Sequence, residues 1–172
     1  MSGLVALDPA TVAATLRERF PGAVEGTAGE AVYLRAADWA EVAAYLRSDE
    51  QFSFEMLVDL TAVDYIDYFE VVARLMSLQK HATLVIKTRA YDRESPEVPS
   101  LVPVWRGANY LEREVYDLFG VRFAGHPNLK RIMLWDEFEG HPLRKDFFYE
   151  NIPPIFDSHG LGIGVYDVKK EP

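Results

Sequence analysis

Apolar positions recur along this chain with two different periods, and the change of period divides it. Val12, Leu16 and Phe20 fall four apart, with Ala13 beside Val12, as on one face of a helix. Asp8 followed by Pro9 supplies an N-cap and a first helical residue, and Pro21-Gly22 supplies a stop. "AVYLR" (31–35) reads as a short strand, and "DWAEVAAYLR" (38–47) returns to helical spacing through Trp39, Val42, Ala43 and Leu46. From Phe54 the period drops to two. In "YFEVVARLMSLQ" (68–79), Phe69, Val71, Ala73 and Leu75 alternate with Glu70, Val72 and Arg74. "ATLVIKTRAY" (82–91) sets Leu84 and Ile86 against Val85, Lys87 and Arg89. With "FEMLVDLTAVDYI" (54–66) ahead of them, three strands with short connections predict an antiparallel meander.

The expected fold is therefore α+β: a two-layer domain with N-terminal helices packed on a mainly antiparallel sheet. Residues 92–103, with three prolines and four charges, read as a loop leaving the sheet. "ANYLEREVYDLFG" (108–120) then reads as a helix, with Ala108, Leu111, Val115, Leu118 and Phe119 on one arc and Gly120 at its end. Glu112 and Glu114 flank that arc. Arg113 and Asp117 lie opposite it, one turn apart, where they can pair. A turn-rich segment follows, and residues 151–172 form an extended Gly/Pro-containing arm beyond a single domain spanning 1–150.

Composition narrows the chemistry. With no cysteine, the 172-residue chain offers no disulfide, no thiolate nucleophile and no cysteine-held cluster. The longest run free of charged residues, "SHGLGIGVY" (158–166), is nine residues, against about 20 for a membrane span. The N-terminal "MSGLVALDPA" shows no secretory pattern. The net charge of −9 disfavours nucleic acid, which demands phosphate neutralisation. Most of that charge lies before residue 104, whereas 104–150 carries seven basic and eight acidic side chains. Such balance suits a segment that meets protein. No P-loop, nucleophile elbow or dinucleotide fingerprint is present, and the "GLGIG" spacing at 160–164 is wrong for the last.

One pattern repeats. "GHPNLKRI" (125–132) is echoed by "GHPLRKDF" (140–147). Glycine supplies backbone freedom and proline holds the preceding histidine extended, so each turn fixes an imidazole and sends a Leu and basic residues onward. Lys130-Arg131 and Arg144-Lys145 bracket the acidic "WDEFE" (135–139), and can pair with it or reach a partner's carboxylates. Three readings compete. His126 and His141, with or without His159, can hold a metal with Asp136 or Glu139 in a free-standing enzyme. A histidine can work in acid–base chemistry with Glu112 or Asp117. Or the imidazoles cap turns. Nothing in the spacing supports a metal geometry, and the capping role is the expectation.

The stretch "EREVYDLFGVRFAGHPNLKRIM" (112–133) carries a family resemblance. Glu112, Arg113, Glu114, Asp117, Leu118, Phe119, His126, Lys130, Ile132 and Met133 satisfy the signature that it resembles, that of the 30-kDa subunit of NADH–quinone oxidoreductase, respiratory complex I. "EGHPLRKDF" is similar to that family's second box, with His141, Pro142, Arg144, Lys145 and Asp146, and "LVDLTAVDY" resembles its central strand. The resemblance implies a peripheral-arm protein on the cytoplasmic side of the cell membrane, attached only through its complex. It implies no catalytic residue, flavin or cluster on this chain, with FMN and iron–sulfur clusters on partner subunits. The implied partners are the 49-kDa-type quinone-site subunit and the subunit that holds the terminal iron–sulfur cluster. Relatives served by ferredoxin, deazaflavin or hydrogenase modules use a similar polypeptide. The signature, with Pro127 and Arg131 in its first turn, is then expected to fold onto the helix and present paired charges to neighbouring subunits.

Overall fold

The computed structural model describes residues 4–148; the expected arm at 151–172, and His159 within it, lie outside these. The chain enters through β1 (Val5–Ala6), α1 (Pro9–Arg19), β2 (Val24–Ala28) and β3 (Ala31–Leu34). A short 3-10 turn leads into α2 (Trp39–Ser48). The meander β4 (Met56–Asp64), β5 (Phe69–Ser77) and β6 (Ala82–Ala90) follows, then β7 (Glu97–Pro99), α3 (Ala108–Phe119) and β8 (Arg122–Ala124). The main sheet runs β2-β3-β6-β5-β4, with β1 paired in parallel to β6. β4, β5 and β6 are antiparallel as expected, while β3 joins β6 in parallel.

Local signals account for the helix ends. Asp8 accepts from the backbone N–H of Ala10 and Thr11, closing the start of α1. Gly120 ends α3 with a φ of 74°, a left-handed conformation natural to glycine. Leu16, Trp39, Val42, Leu46, Phe69, Val71, Leu75, Leu84 and Ile86 join one buried cluster between the helices and the inward sheet face. Trp105 closes it from the far side, its indole N–H donating to the Phe54 carbonyl at 3.1 Å. The outward face carries an ion network, with Glu70 buried against Lys87 at 2.7 Å.

Several elements depart from the sequence pattern. β2, "VEGTA", has no apolar alternation, because it is held by backbone pairing to β3 rather than by a buried side. β7 and β8 pair in parallel with each other inside what reads as loop and turn. The largest correction is on α3. Its buried residues are Ala108, Glu112, Val115 and Asp117, whereas Leu111, Leu118 and Phe119 are only half-buried. The wheel fails because it ranks residues by side-chain polarity, and neighbouring loops draw these two carboxylates inward.

Leu75 lies on β5, an interior strand between β6 and β4, and is fully buried. Leu75→Ala is expected to cost about 2–5 kcal/mol, read as a lowered urea midpoint at unchanged slope.

Candidate functional site

Three buried carboxylates organise the signature region, two with an arginine and one without. Asp117 is fully buried on α3. One oxygen accepts the backbone N–H groups of Ile132 (2.9 Å), Met133 (2.7 Å) and Leu134 (2.9 Å), and the other takes Arg131 Nη1 at 2.7 Å. Burial raises the cost of its charge, but these four donors outweigh it and hold the carboxyl below its ordinary range. Arg131 Nη2 then donates to the carbonyls of Phe138 and Gly140, so one ion pair ties both ends of the acidic stretch to the helix.

Asp64, at the last position of β4, does the same for the second box. It accepts Arg93 through both terminal nitrogens at 2.7 and 3.1 Å, Ile66 N–H at 2.7 Å and Lys145 N–H at 2.9 Å. Burial opposes its charge, yet Arg93 and the backbone donors bring the carboxyl down to about 2. Arg93 also reaches Asp146 at 2.8 Å.

Glu112 differs. It is fully buried and, among the described residues, meets no cation; it accepts Ser100 Oγ at 2.6 Å and Leu101 N–H at 2.5 Å. Burial outweighs those hydrogen bonds and pushes its carboxyl up to about 7. When protonated it can donate to Ser100 Oγ while still accepting from Leu101, so the pocket suits the neutral acid.

The histidines close backbone. Asn128 N–H donates to His126 Nδ1 at 3.0 Å, so His126 Nε2 carries the proton and donates to the Asn109 carbonyl at 3.2 Å. His141 Nδ1 donates to the Asp117 carbonyl at 2.8 Å, and burial keeps its pKa below the ordinary value. Their two anchor carbonyls are eight residues apart on α3, about 12 Å along its axis. Among the described residues no group of His, Asp and Glu could hold a metal ion. The capping role holds, with His126 at the first turn of α3 and His141 at the last. Gly125 and Gly140, at φ of 80° and 89°, supply the two left-handed turns that Pro127 and Pro142 follow.

Several expected pairings are replaced. Arg113 does not pair with Asp117; it donates to the carbonyls of Lys130 and Arg131 at 3.1 and 3.0 Å, because loop backbone occupies the carboxylate. Glu114 is exposed rather than flanking a buried arc. Arg144 leaves the acidic stretch and donates to the Phe119 carbonyl at 2.6 Å, with its guanidinium 5.0 Å from the Phe69 ring. Phe119 thus contributes its backbone oxygen as well as its half-buried ring. A Cβ on Gly120 would lie 2.5 Å from both Arg144 and His141, so this glycine is required by packing as well as by φ. Lys130 and Lys145 keep exposed side chains and engage the fold through their backbone.

Sequence reasoning missed Asp64, Arg93 and Ser100. A signal for Asp64 was present: Leu60, Ala62 and Asp64 share the inward parity of β4.

Fold and site together define a class: a small α+β domain whose buried carboxylates pin a turn-rich segment to its surface. Residues 32–152 match the family described as respiratory-chain NADH dehydrogenase, 30 Kd subunit. A NADH-quinone oxidoreductase subunit from Roseiflexus sp. (strain RS-1) is 44% identical over 149 residues, covering 83% of this chain and 85% of that protein. The protein of the same name from Cupriavidus metallidurans is 40% identical over 141 residues, covering 77% and 71%. A chain in the solved structure of an archaeal membrane-bound sulfane sulfur reductase has a similar fold, with a TM-score of 0.66, 24% identity and coverage of 87% and 95%. This chain belongs to the respiratory-chain NADH dehydrogenase 30-kDa subunit family.

Asp117→Asn keeps the shape and removes the charge, leaving Arg131 without its counter-ion. The expected loss is about 3–5 kcal/mol of stability, measured by denaturant unfolding of the isolated chain. Glu112 has the opposite pH signature to Asp64. From pH 4.5, its ordinary pKa, to about 7 the native chain holds a proton that the unfolded chain has released, so stability falls as pH rises across that window. The drop is about 3 kcal/mol, and Glu112→Gln should flatten it in unfolding curves taken at several pH values. Asp64 instead contributes stability above pH 3.8 that is lost as pH falls toward 2.

Proposed function

We propose that this chain is a peripheral-arm member of a proton-translocating NADH–quinone oxidoreductase that bears no cofactor and supports the subunits forming the quinone site. The family match over residues 32–152 carries this reading, supported by NADH-quinone oxidoreductase relatives at 40–44% identity across most of the chain. The geometry agrees in kind. The histidines, both arginines of the two boxes and the buried carboxylates are each engaged in holding backbone, so the signature serves shape rather than turnover. FMN and iron–sulfur clusters belong, in this reading, to partner subunits, chiefly those forming the quinone site and holding the terminal cluster. No helix among the described residues is long and apolar enough to cross a membrane, so the proposed place at the cytoplasmic side of the cell membrane depends on those partners.

The test is purification of a tagged chain from gently solubilised membranes under native conditions, recording polypeptide content, absorbance and NADH–quinone activity. A large, coloured, NADH-oxidising assembly is the expected result. An assembly that is coloured but inert to NADH replaces NADH by another donor, and a chain that elutes alone overturns the reading.

A further inference from the structure

The segment held by Asp117 and Asp64 turns Arg131 and Arg144 onto α3 and leaves several large apolar side chains outward beside exposed acidic ones. Met133 is 63% exposed and Phe148 is 74% exposed, and Trp135 is 38% exposed whereas Trp39 and Trp105 are buried. A chain of ring contacts runs from Trp135 toward Phe148. Trp135 meets Phe138 edge-on at 4.9 Å, and Phe138 stacks on Phe147 at 5.9 Å, next to Phe148 in the chain. The backbone beneath them is fixed: Met133 and Leu134 donate to Asp117, Phe138 accepts from Arg131, and Lys145 donates to Asp64. Exposed apolar groups on a frame this constrained have already lost the freedom that binding would otherwise remove. Trp, Phe and Met are also the side chains enriched at the centres of protein interfaces.

We propose that Met133, Trp135 and Phe148 form the surface by which this chain docks onto another protein of its assembly, one presenting an apolar patch rimmed by Lys or Arg. The inference rests on the reading of this chain as part of a respiratory assembly, and adds which face makes the contact and what chemistry meets it. The charge beside the patch selects the occupant. Asp136, Glu137 and Glu139 are exposed and, among the described residues, take part in no ion pair. With a net charge of −9 overall, this rim repels a second copy of the chain and an anionic lipid surface alike, and attracts a basic protein rim.

Hydroxyl-radical footprinting of the isolated chain and of the native assembly tests this directly, read by mass spectrometry on the peptide containing Met133 and Trp135. Both residues should oxidise readily in the dilute isolated chain and about 10-fold less in the assembly, as expected of side chains fully desolvated at an interface centre. Leu78, 58% exposed in the β5–β6 turn, serves as the reference site. A Met133→Asp, Phe148→Asp double variant, which leaves the Trp135–Phe138 contact in place, should keep its thermal melt as an isolated chain and lose about 30-fold or more in assembly occupancy, while Leu78→Asp does not. Equal oxidation in both states, or normal incorporation of the double variant, overturns the proposal. So does protection already present in the isolated monomer, which would assign the patch to residues 149–172, or protection gained only on self-association or on anionic vesicles. A wild-type chain found in no assembly at all would instead remove the functional reading on which this one rests.

Discussion

The architecture of the second half of this protein depends on one buried carboxylate. Asp117 is shielded from water on α3, and an isolated charge there would be strongly unfavourable. It is tolerated because three successive backbone N–H groups and one guanidinium converge on it. The requirement is reciprocal. The stretch 132–134 lies in neither helix nor strand, so its N–H groups have no ladder to join, and Asp117 supplies the acceptor. A charge that needs donors and a loop that needs an acceptor therefore enforce each other's position.

Asp64 and Glu112 repeat the device with different electrostatics. Asp64 pairs Arg93 and a loop amide, and its charge is favoured. Glu112 meets only neutral donors, and its neutral form is favoured. The result is a helix tied at one edge to the 100–101 loop and at the other to both Gly-His-Pro turns. His126 and His141 close the two ends of that helix, and Arg144 packs over the Gly120 turn. Most of the family signature thus works as a folding device. Of its charged residues, Glu112, Arg113, Asp117, Arg131 and Arg144 bond this chain's own backbone, whereas Glu114, Lys130 and Lys145 keep exposed side chains.

With Arg131 and Arg144 turned toward α3, the surface left between 132 and 148 sets exposed apolar groups, Met133, Trp135 and Phe148, beside the exposed acids Asp136, Glu137 and Glu139. For a member of the respiratory-chain NADH dehydrogenase 30-kDa subunit family, a constrained frame bearing exposed apolar side chains suits association with other proteins. Association then need not order the segment first.

Much of the fold was legible because it rests on periodicity. The two N-terminal helices, the meander and the helix at 108–119 follow from spacing at four or two, and from Asp8-Pro9 and Gly120 at their ends. β2 was not legible because backbone pairing holds it, and β7 and β8 were not because each buries a single apolar residue, Val98 and Phe123, in a strand too short to show alternation. Site residues could be recognised as a set but not assigned partners. Arg113 and Asp117 sit one turn apart, and local spacing offers that pair; only the path of 130–134 across the helix shows that backbone groups displace it. Chain order determines periodicity, charge and the residues at each turn, since these act over a few positions. Which carboxylate is buried, and what satisfies it, is decided by tertiary structure, because desolvation and long-range hydrogen bonds exist only once distant segments meet.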